Sequence, residues 1–355
     1  MTGAWDNSMR PHLDPNRYEA CPSFNDWLDE KYADESGDLS ILGFRPRPSE
    51  VLFAMSPDTY EAAFPDYMQQ REEGILDSVF ANFPSPIAYY FYRFNNGYEN
   101  EIQRLLLLRD TWESIVDILY ALAIAECRFH EIPLTDPLKF GNLLTDRIAL
   151  KLENIEEISR QLQAAGITPE FSRIATAHTI ATMRELNQSR NAFSHSAAQS
   201  EMQAHGWVNE CYEDVLEVLA ELDGLQSVQV IRYLSQPDGH TLRGETFNGH
   251  GATKTIQNVA LDEQQIRDSS CYFQHGHMLA IVGGLILSLK PIVHYKEDAA
   301  GHMTRLCVYR RTHGVSPDRK IEFEIVGLAE RMEEGRALFS VELTELRGYF
   351  GLGAD

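Results

Sequence analysis

The sequence predicts an α+β protein in which a central antiparallel helical bundle lies between an irregular amino-terminal region and a carboxy-terminal domain rich in β-strands. Apolar residues recur at helical spacing between residues 99 and 224, whereas short β-branched segments separated by turn residues occupy 225–355. Residues 1–98 contain prolines that interrupt long helices. A chain of 355 residues is too long for one typical hydrophobic core, so we divide it at these two boundaries.

The first region, residues 1–98, is predicted to form short helices and loops. Ser56 followed by Pro57 is a good helix start, because serine caps a helix and proline fits its first turn. A run of aromatic residues is followed by Asn95-Asn96-Gly97, a turn signal that ends it. The composition of this region indicates no separate function.

The central region, residues 99–224, is predicted to contain four long helices. The first reaches about His130, the second covers about 142–165, the third opens at Thr168, and the fourth covers about 207–222. The continuous run Leu105–Leu108 is apolar around most of the helix, so we expect the first helix to lie centrally. Four such helices with modest connections make a bundle of one-domain size.

The last region, residues 225–355, is predicted to be rich in strands because its apolar segments are short and separated by turns. The expected strands are 228–234, 280–289, 291–295, 305–309 and 321–326, with one helix near 262–267. The sequence contains no internal repeat.

The net charge of −22 is spread unevenly, with −9 in residues 1–98, −11 in 99–224 and −2 in 225–355. An acidic chain repels nucleic-acid phosphates, so the charge argues against a protein that coats RNA or DNA. An enzyme with a small positive pocket remains compatible with it. An acidic surface also suits a basic protein partner.

The five cysteines are far apart and include no CxxC pair, which is not the pattern of a disulfide framework. The first residues lack the basic and apolar segments of a secretory leader. The longest apolar run, Met278–Leu289, is shorter than the roughly 20 residues that span a membrane. We therefore expect a soluble, cytoplasmic protein with no membrane contact.

The segment that carries chemistry lies at the end of the third helix and contains Arg190 and His195. On one uninterrupted helix these positions lie about 140° apart. For both to address one ligand, either the helix breaks near 191–194 or two copies come together. Histidine can shuttle protons near neutral pH, and arginine can stabilise a phosphorane, so the pair suits RNA cleavage by the substrate's own 2′-hydroxyl. This chemistry needs no metal or other cofactor.

The motif Arg190-Asn191-x-x-x-His195, set between the last two helices of a bundle, resembles the Arg-x(4–6)-His motif of the HEPN superfamily. The resemblance covers roughly residues 99–222. It implies a homodimeric, metal-independent endoribonuclease of a toxin or antiphage system, with one composite site formed by two copies of the motif. Asn191, Ser194 and Arg184 would then support the site or contact RNA. The alternative is a HEPN-like protein that binds a protein partner, RNA or a nucleotide without cutting.

Three other patterns have simpler interpretations. Cys271, His275 and His277 have metal-ligand residue types but lack a fourth ligand at suitable spacing, so a partly buried β-segment is preferred. The glycines from 244 to 251 lack the Lys-Ser/Thr of a phosphate-binding loop. The basic pairs 310–311 and 319–320 could touch RNA phosphate, although solvated hairpin ends are the commoner case.

Two basic residues of the third helix, His178 and Arg184, could line the same cleft as the motif. Pairing of Arg184 with an acidic neighbour is the preferred interpretation. The acidic residues Glu153, Glu156 and Glu157 of the second helix are taken as a solvated face. No Gly-x-Ser-x-Gly segment supports catalysis by serine, histidine and an acid.

Overall fold

The structure is a computed structural model that describes residues 18, 22–33, 46–97, 100–194, 200–251, 255–297, 304–313, 319–328 and 330–352, with the backbone alone for 189–194. The chain divides into two compact units, Met1–Leu76 and Asp77–Asp355. This division differs from the boundaries expected at residues 98 and 224, which stay a prediction.

The first unit is built around aromatic side chains carried by α1 (Pro22–Lys31), α2 (Pro48–Met55) and the first part of α3 (Pro57–Asn82). The ring of Phe24 lies 4.9 Å from that of Tyr60 and 5.1 Å from that of Phe64. Arg47, just before α2, donates to the carboxylates of Asp26 and Asp29 on α1. These contacts join the helices of this unit.

The expectation that prolines limit residues 1–98 to short helices was wrong for α3, which is 26 residues long and contains Pro65. A proline inside a helix removes one backbone hydrogen bond and strains the preceding turn. Around Pro65, the side chains of Tyr60, Phe64, Tyr67 and Met68 are all buried in the aromatic core. Their burial offsets the local cost of the proline, so the helix continues through it.

The second unit begins with the end of α3 and continues with a helical part. Its helices are α4 (Ser85–Asn96), α5 (Glu101–Phe129), α6 (Phe140–Leu143), α7 (Ile148–Ala164), α8 (Glu170–Ile174), α9 (Ala177–Ser194) and α10 (Glu201–Glu221). Helix α5 packs against α7 and α10, and α9 packs against the same two helices, so the four form a closed ring. The second and third predicted helices are each interrupted, between α6 and α7 and between α8 and α9.

The sequence predicts an antiparallel bundle, but the helices of the ring are not all antiparallel to their neighbours. Asn154 on α7 donates to Tyr120 on α5 at 3.0 Å, and one turn earlier Lys151 pairs with Asp117, so α5 and α7 run in the same direction. Helix α10 starts beside the start of α5, where the backbone N–H of Glu101 donates to Glu201 at 2.7 Å. Because α5 and α10 also pack along their length, they are parallel too.

Helix α9 runs against the other three. His178 near its start lies 3.6 Å from Glu221 at the end of α10. The physical reason for the mixed directions is the connection from α5 to α7. It covers residues 130–147, long enough to travel back along α5 before α7 begins.

The first predicted bundle helix lies centrally, as expected, but not at the Leu105–Leu108 run on which the expectation rested, because Leu106 is exposed. Between Ser114 and Arg128, every residue of α5 is buried, so this part of the helix is covered on all sides. Helices α4, α7 and α10, together with a strand of the β-rich part, supply the cover. Among the described residues, no helix is long and apolar enough to cross a membrane.

The β-rich part contains two antiparallel sheets, in agreement with the predicted α+β class. The described strands are β1 (Gln229–Ser235), β2 (Thr241–Thr246), β3 (Thr255–Ala260), β4 (Met278–Val282), β5 (Leu285–Ser288), β6 (Val293–Glu297), β7 (Thr304–His313), β8 (Lys320–Ile325) and β9 (Arg331–Gly335). They are arranged as β3-β2-β1-β4-β5 and β6-β7-β8-β9. Two helices accompany them, α11 (Glu263–Ser269) and α12 (Ser340–Tyr349).

The predicted strand 280–289 is a hairpin of β4 and β5. Gly283 and Gly284 form its turn with φ of 54° and 86°, a region that glycine adopts without steric cost. Strands β2, β3 and β9 and helix α12 were not predicted from the sequence.

Candidate functional site

The backbone of the motif segment is helical up to Ser194. Arg190, Asn191 and Ser194 all belong to the last two turns of α9, and His195 lies outside the described residues. The break expected as one alternative near 191–194 is therefore not found in this segment. The other alternative, in which two copies come together, stays a prediction.

The end of α9 lies at the end of the ring where α5 and α10 begin. His178 of α9 contacts Glu221 of α10, and the two helices are antiparallel. Counting the same number of residues forward from His178 and backward from Glu221 reaches Ser194 and His205. Ser194 therefore lies at about the level of His205. Asn100 caps α5 and Ser200 caps α10, each accepting from a backbone N–H of the first turn. Two adjacent helix N-termini favour negative charge at this end, although Glu101 and Glu201 already occupy their first turns.

Arg184 lies two turns before the motif and is held by an ion pair. Its guanidinium is 2.6 Å from the carboxylate of Glu156 on α7, and both side chains are exposed. This contact confirms the acidic partner expected from the sequence. An RNA phosphate would have to compete with Glu156 for Arg184.

The residues Cys271, His275 and His277 do not form a metal site. Cys271 is exposed, while His275 approaches the carbonyl of Leu234 through Nδ1 at 3.1 Å. His277 is buried, and its Nε2 lies 2.7 Å from the hydroxyl of Ser288. Burial lowers the pKa of His277 to about 3, with smaller contributions from neighbouring cations. A neutral, buried histidine bound to a serine is a core residue. The β-segment expected from the sequence is not found, because Cys271 lies in a 3-10 helix and His275 and His277 lie in the turn before β4.

Among the residues that the structure describes, one group has ligand atoms close enough for a metal ion. One atom each from His313, Glu322 and Glu333 lies within 4.8 Å of the others, on three neighbouring strands. The carboxylate of Glu322 already receives Arg311 at 2.9 Å and Arg331 at 2.5 Å. Lys320 lies 2.8 Å from Glu333.

Three basic side chains thus neutralise the two glutamates of this group, which face each other across β8 and β9. Like charges directly opposite on adjacent strands destabilise a sheet unless cations separate them. The cluster is therefore explained as a network of ion pairs on the sheet surface, and it carries no metal assignment.

Two of the three glycines from 244 to 251, Gly244 and Gly249, serve backbone packing. A Cβ on Gly244 in β2 would lie 2.2 Å from the side chain of Ile231 on β1. Gly249 has a φ of 74°, and a Cβ there would lie 2.8 Å from the carbonyl oxygen of Ala81. These positions hold strands and α3 close together and do not form a phosphate-binding loop.

The basic pair at 310–311 is engaged by carboxylates and does not face solvent freely. Arg310 on β7 reaches Asp117 on α5 at 3.0 Å and Glu324 on β8 at 2.9 Å. Burial lowers the pKa of Arg310, but Asp117, Glu324 and Glu113 outweigh burial and raise it. Lys151 on α7 completes the group by pairing with Asp117. Arg310 thus joins the ring of helices to the second sheet and is not available to RNA.

A second buried polar group involves Arg128 at the end of α5. Its guanidinium lies 3.4 Å from the hydroxyl of Ser288 and 2.6 Å from Glu345 on α12, and it donates to the carbonyl of Lys290. Ser288 also contacts His277, so α5, β5, α12 and the start of β4 meet at this group. Sequence reasoning missed both buried groups, because each joins a residue of α5 to a residue at least 160 positions further along the chain and no local spacing marks them.

One buried carboxyl has a pKa near neutrality. Burial raises the pKa of Glu126 to about 7, against the lowering effect of two backbone N–H groups. Those groups belong to Glu170, at 2.7 Å, and Phe171, at 3.1 Å, in the first turn of α8. Glu126 therefore serves as a cap for α8, and its position in the core fits a structural role.

Comparison of the chain with protein-family models, curated proteins and solved structures gives no match in any of the three.

Proposed function

We propose that the chain is a metal-independent endoribonuclease of the HEPN type, in which Arg190 and His195 from two copies form one RNA-cutting site. The observation that carries the proposal is the location of Arg190. It lies on the final turns of α9, the third helix of a four-helix ring, directly before the connection to α10. The helical backbone of 191–194 contains no break, which favours the other alternative, a site formed by two copies.

The reaction starts with attack of the RNA 2′-oxygen on the adjacent phosphorus. A bond forms from the 2′-oxygen to phosphorus, and the bond from phosphorus to the 5′-oxygen breaks. One His195 takes the 2′-hydroxyl proton and the other protonates the departing 5′-oxygen, which leaves a 2′,3′-cyclic phosphate and a 5′-hydroxyl. Arg190 from each copy stabilises the charge of the phosphorane, with Asn191 and Ser194 as further hydrogen-bond partners.

The charges elsewhere restrict where RNA can bind. Arg310, Arg311, Lys320 and Arg184 are all paired with carboxylates. The phosphate contacts of the proposed enzyme are therefore concentrated at the end of the ring. This fits a cytoplasmic toxin-like or antiphage enzyme that acts on accessible RNA, with a regulatory or antitoxin protein as a further partner.

The proposal is tested by expressing the chain in bacteria and by incubating the purified protein with RNA. Wild type is expected to slow growth and cut RNA, whereas Arg190→Ala and His195→Ala reduce cleavage at least 100-fold. Arg173→Ala, which removes an exposed arginine of α8, is the matched control and is expected to cut like wild type. Cleavage should persist in EDTA. Equal cleavage by wild type and both motif variants would end the proposal.

The second candidate function is a non-catalytic interaction or sensor protein. The charge of −11 over residues 99–224 favours it, because an acidic bundle suits a basic protein partner. This function predicts a complex with a protein that forms without RNA, together with no cleavage at high protein concentration. The same purified wild-type protein therefore separates the two functions.

A further inference from the structure

Strand β3 lies at one edge of the first sheet. Among the described residues it pairs with β2 alone, in a register that runs without interruption from Thr255 to Ala260. Five of its six residues are exposed. An edge strand presents backbone N–H and C=O groups that have no partner in the sheet, and these groups can accept a further strand.

The hydrogen bonds between β2 and β3 decide which backbone groups point outward. Leu261, directly after β3, donates its N–H to the carbonyl of His240 at 2.8 Å. Along an antiparallel ladder, residue pairs that exchange hydrogen bonds alternate with pairs that do not. Counting back from Leu261, the residues whose N–H and C=O point away from β2 are Ile256, Asn258 and Ala260. Each of them is exposed.

The other edges of the two sheets differ from β3. Strand β5 is covered, because it packs against α5 and α11. Strand β6 carries Lys296 and Glu297. Strand β9 carries Arg331, Glu333 and Glu334. Cover and charged side chains protect an edge from pairing with another strand, and β3 contains neither a charged residue nor a proline.

We propose that β3 pairs with β3 of a second copy of this chain in antiparallel orientation, so that two five-stranded sheets form one continuous sheet. The outward residues set the register. Asn258 of one copy lies opposite Asn258 of the other, and Ile256 lies opposite Ala260. In this register each pair exchanges two backbone hydrogen bonds, and the side-chain amides of the two asparagines can also bond to each other.

The chemistry of β3 suits a second copy. Its residues are uncharged, and residues 225–355 carry only −2 of the net charge of −22, so two copies meet here with less repulsion than through residues 1–224. Antiparallel pairing of identical strands is symmetric, so the contact closes on itself. The contact uses β3, whereas the proposed two-copy site uses the end of α9, so neither proposal depends on the other.

The test measures the mass of the full-length chain by sedimentation equilibrium. Asn258→Pro removes an outward N–H without removing a bond to β2, and Asn258→Lys places two like charges opposite each other. Each is expected to weaken association through β3 at least about 10-fold. Asn258→Thr is the matched control, because it is neutral and keeps the backbone N–H, and it should associate like wild type. Circular dichroism checks that each variant is folded.

A cross-link locates the contact. With Cys21 and Cys271 replaced by serine, the cysteines that remain in the chain are buried. Asn258→Cys then supplies one thiol at the centre of the proposed contact, and a short bismaleimide is expected to join two such chains. Val341→Cys is the control, because this position on α12 is 65% exposed and lies outside β3. It should cross-link only at the level of random collision.

These outcomes decide the contact whatever the RNA assay shows. Cross-linking of Asn258→Cys no greater than that of Val341→Cys would overturn it, as would Asn258→Pro and Asn258→Lys chains that associate as well as Asn258→Thr. A wild type that stays monomeric would leave the edge to a segment of another protein and would also overturn the proposal. Absence of RNA cleavage ends the proposed ribonuclease but leaves the β3 contact in place.

Discussion

At the scale of single residues, the pair of Lys151 and Asp117 is the most deeply buried charge contact between helices in the part of the chain that the structure describes. Each side chain is 1% exposed. Removal of one partner of a buried ion pair leaves an uncompensated charge, which costs about 3–5 kcal/mol. Arg310 also contacts Asp117 and limits the loss. Asp117 therefore links α5 to α7 through Lys151, and to β7 through Arg310.

We expect Lys151→Met to lower the free energy of unfolding by about 3 kcal/mol, measured by urea denaturation. The double variant with Asp117→Asn should recover part of this loss, because it removes the carboxylate that has lost Lys151, while Arg310 keeps Glu324 and Glu113 as partners. Arg160→Ala removes an exposed pair with Glu157 within one helix and should change stability by less than about 0.5 kcal/mol. A Lys151→Met variant as stable as Arg160→Ala would show that the buried pair contributes nothing.

The lowered pKa of His277 predicts how the free energy of unfolding depends on pH. The folded pKa of about 3 lies below the ordinary value of 6.5, so between these values the unfolded chain binds a proton that the folded chain does not. Stability contributed by the neutral ring is present above pH 6.5 and is lost as pH falls. Linkage gives a loss of about 2 kcal/mol from this group between pH 7 and pH 5.

His277→Gln should therefore lose about 2 kcal/mol less than wild type over this interval in urea denaturation. Ser288→Ala is the control, because it removes the hydrogen bond but leaves the histidine buried. It should retain a loss close to that of wild type. An unchanged pH dependence in His277→Gln would contradict a neutral, buried His277.

At the scale of elements, the sequence predicts those helices and strands in which the spacing of apolar residues follows the buried face. The spacing of apolar residues predicts α5 and α10 because each turns one or more faces to the core. Strand β3, by contrast, is an exposed edge strand, so its residues carry no clear alternation of apolar and polar types. Strand β2 contains Gly244 where a side chain would collide with Ile231, and glycine is an unfavourable signal for a strand.

Helix direction and the meeting of distant residues could not be predicted in the same way. The parallel course of α5 and α7 depends on the path of residues 130–147, which have no repeating pattern. The contact of Arg128 with Ser288 joins positions 160 apart and depends on how α5 meets β5. The motif at 190–195 was visible in the sequence because its residues are neighbours in the chain. Its position at the end of the ring required the structure.

At the scale of the whole molecule, net charge opposes the association of two copies that the proposed site requires. Each chain carries a net charge of −22, so two copies repel each other at low ionic strength. This repulsion is screened over about 10 Å at 0.1 M salt. Salt should therefore favour association.

We expect the dimer dissociation constant to fall about threefold or more when NaCl is raised from 50 to 500 mM, measured by sedimentation equilibrium. Val341→Glu, at an exposed position of α12, should show the same direction, since its added charge increases the repulsion. A dissociation constant that rises with salt would mean that ion pairs between copies hold the dimer together.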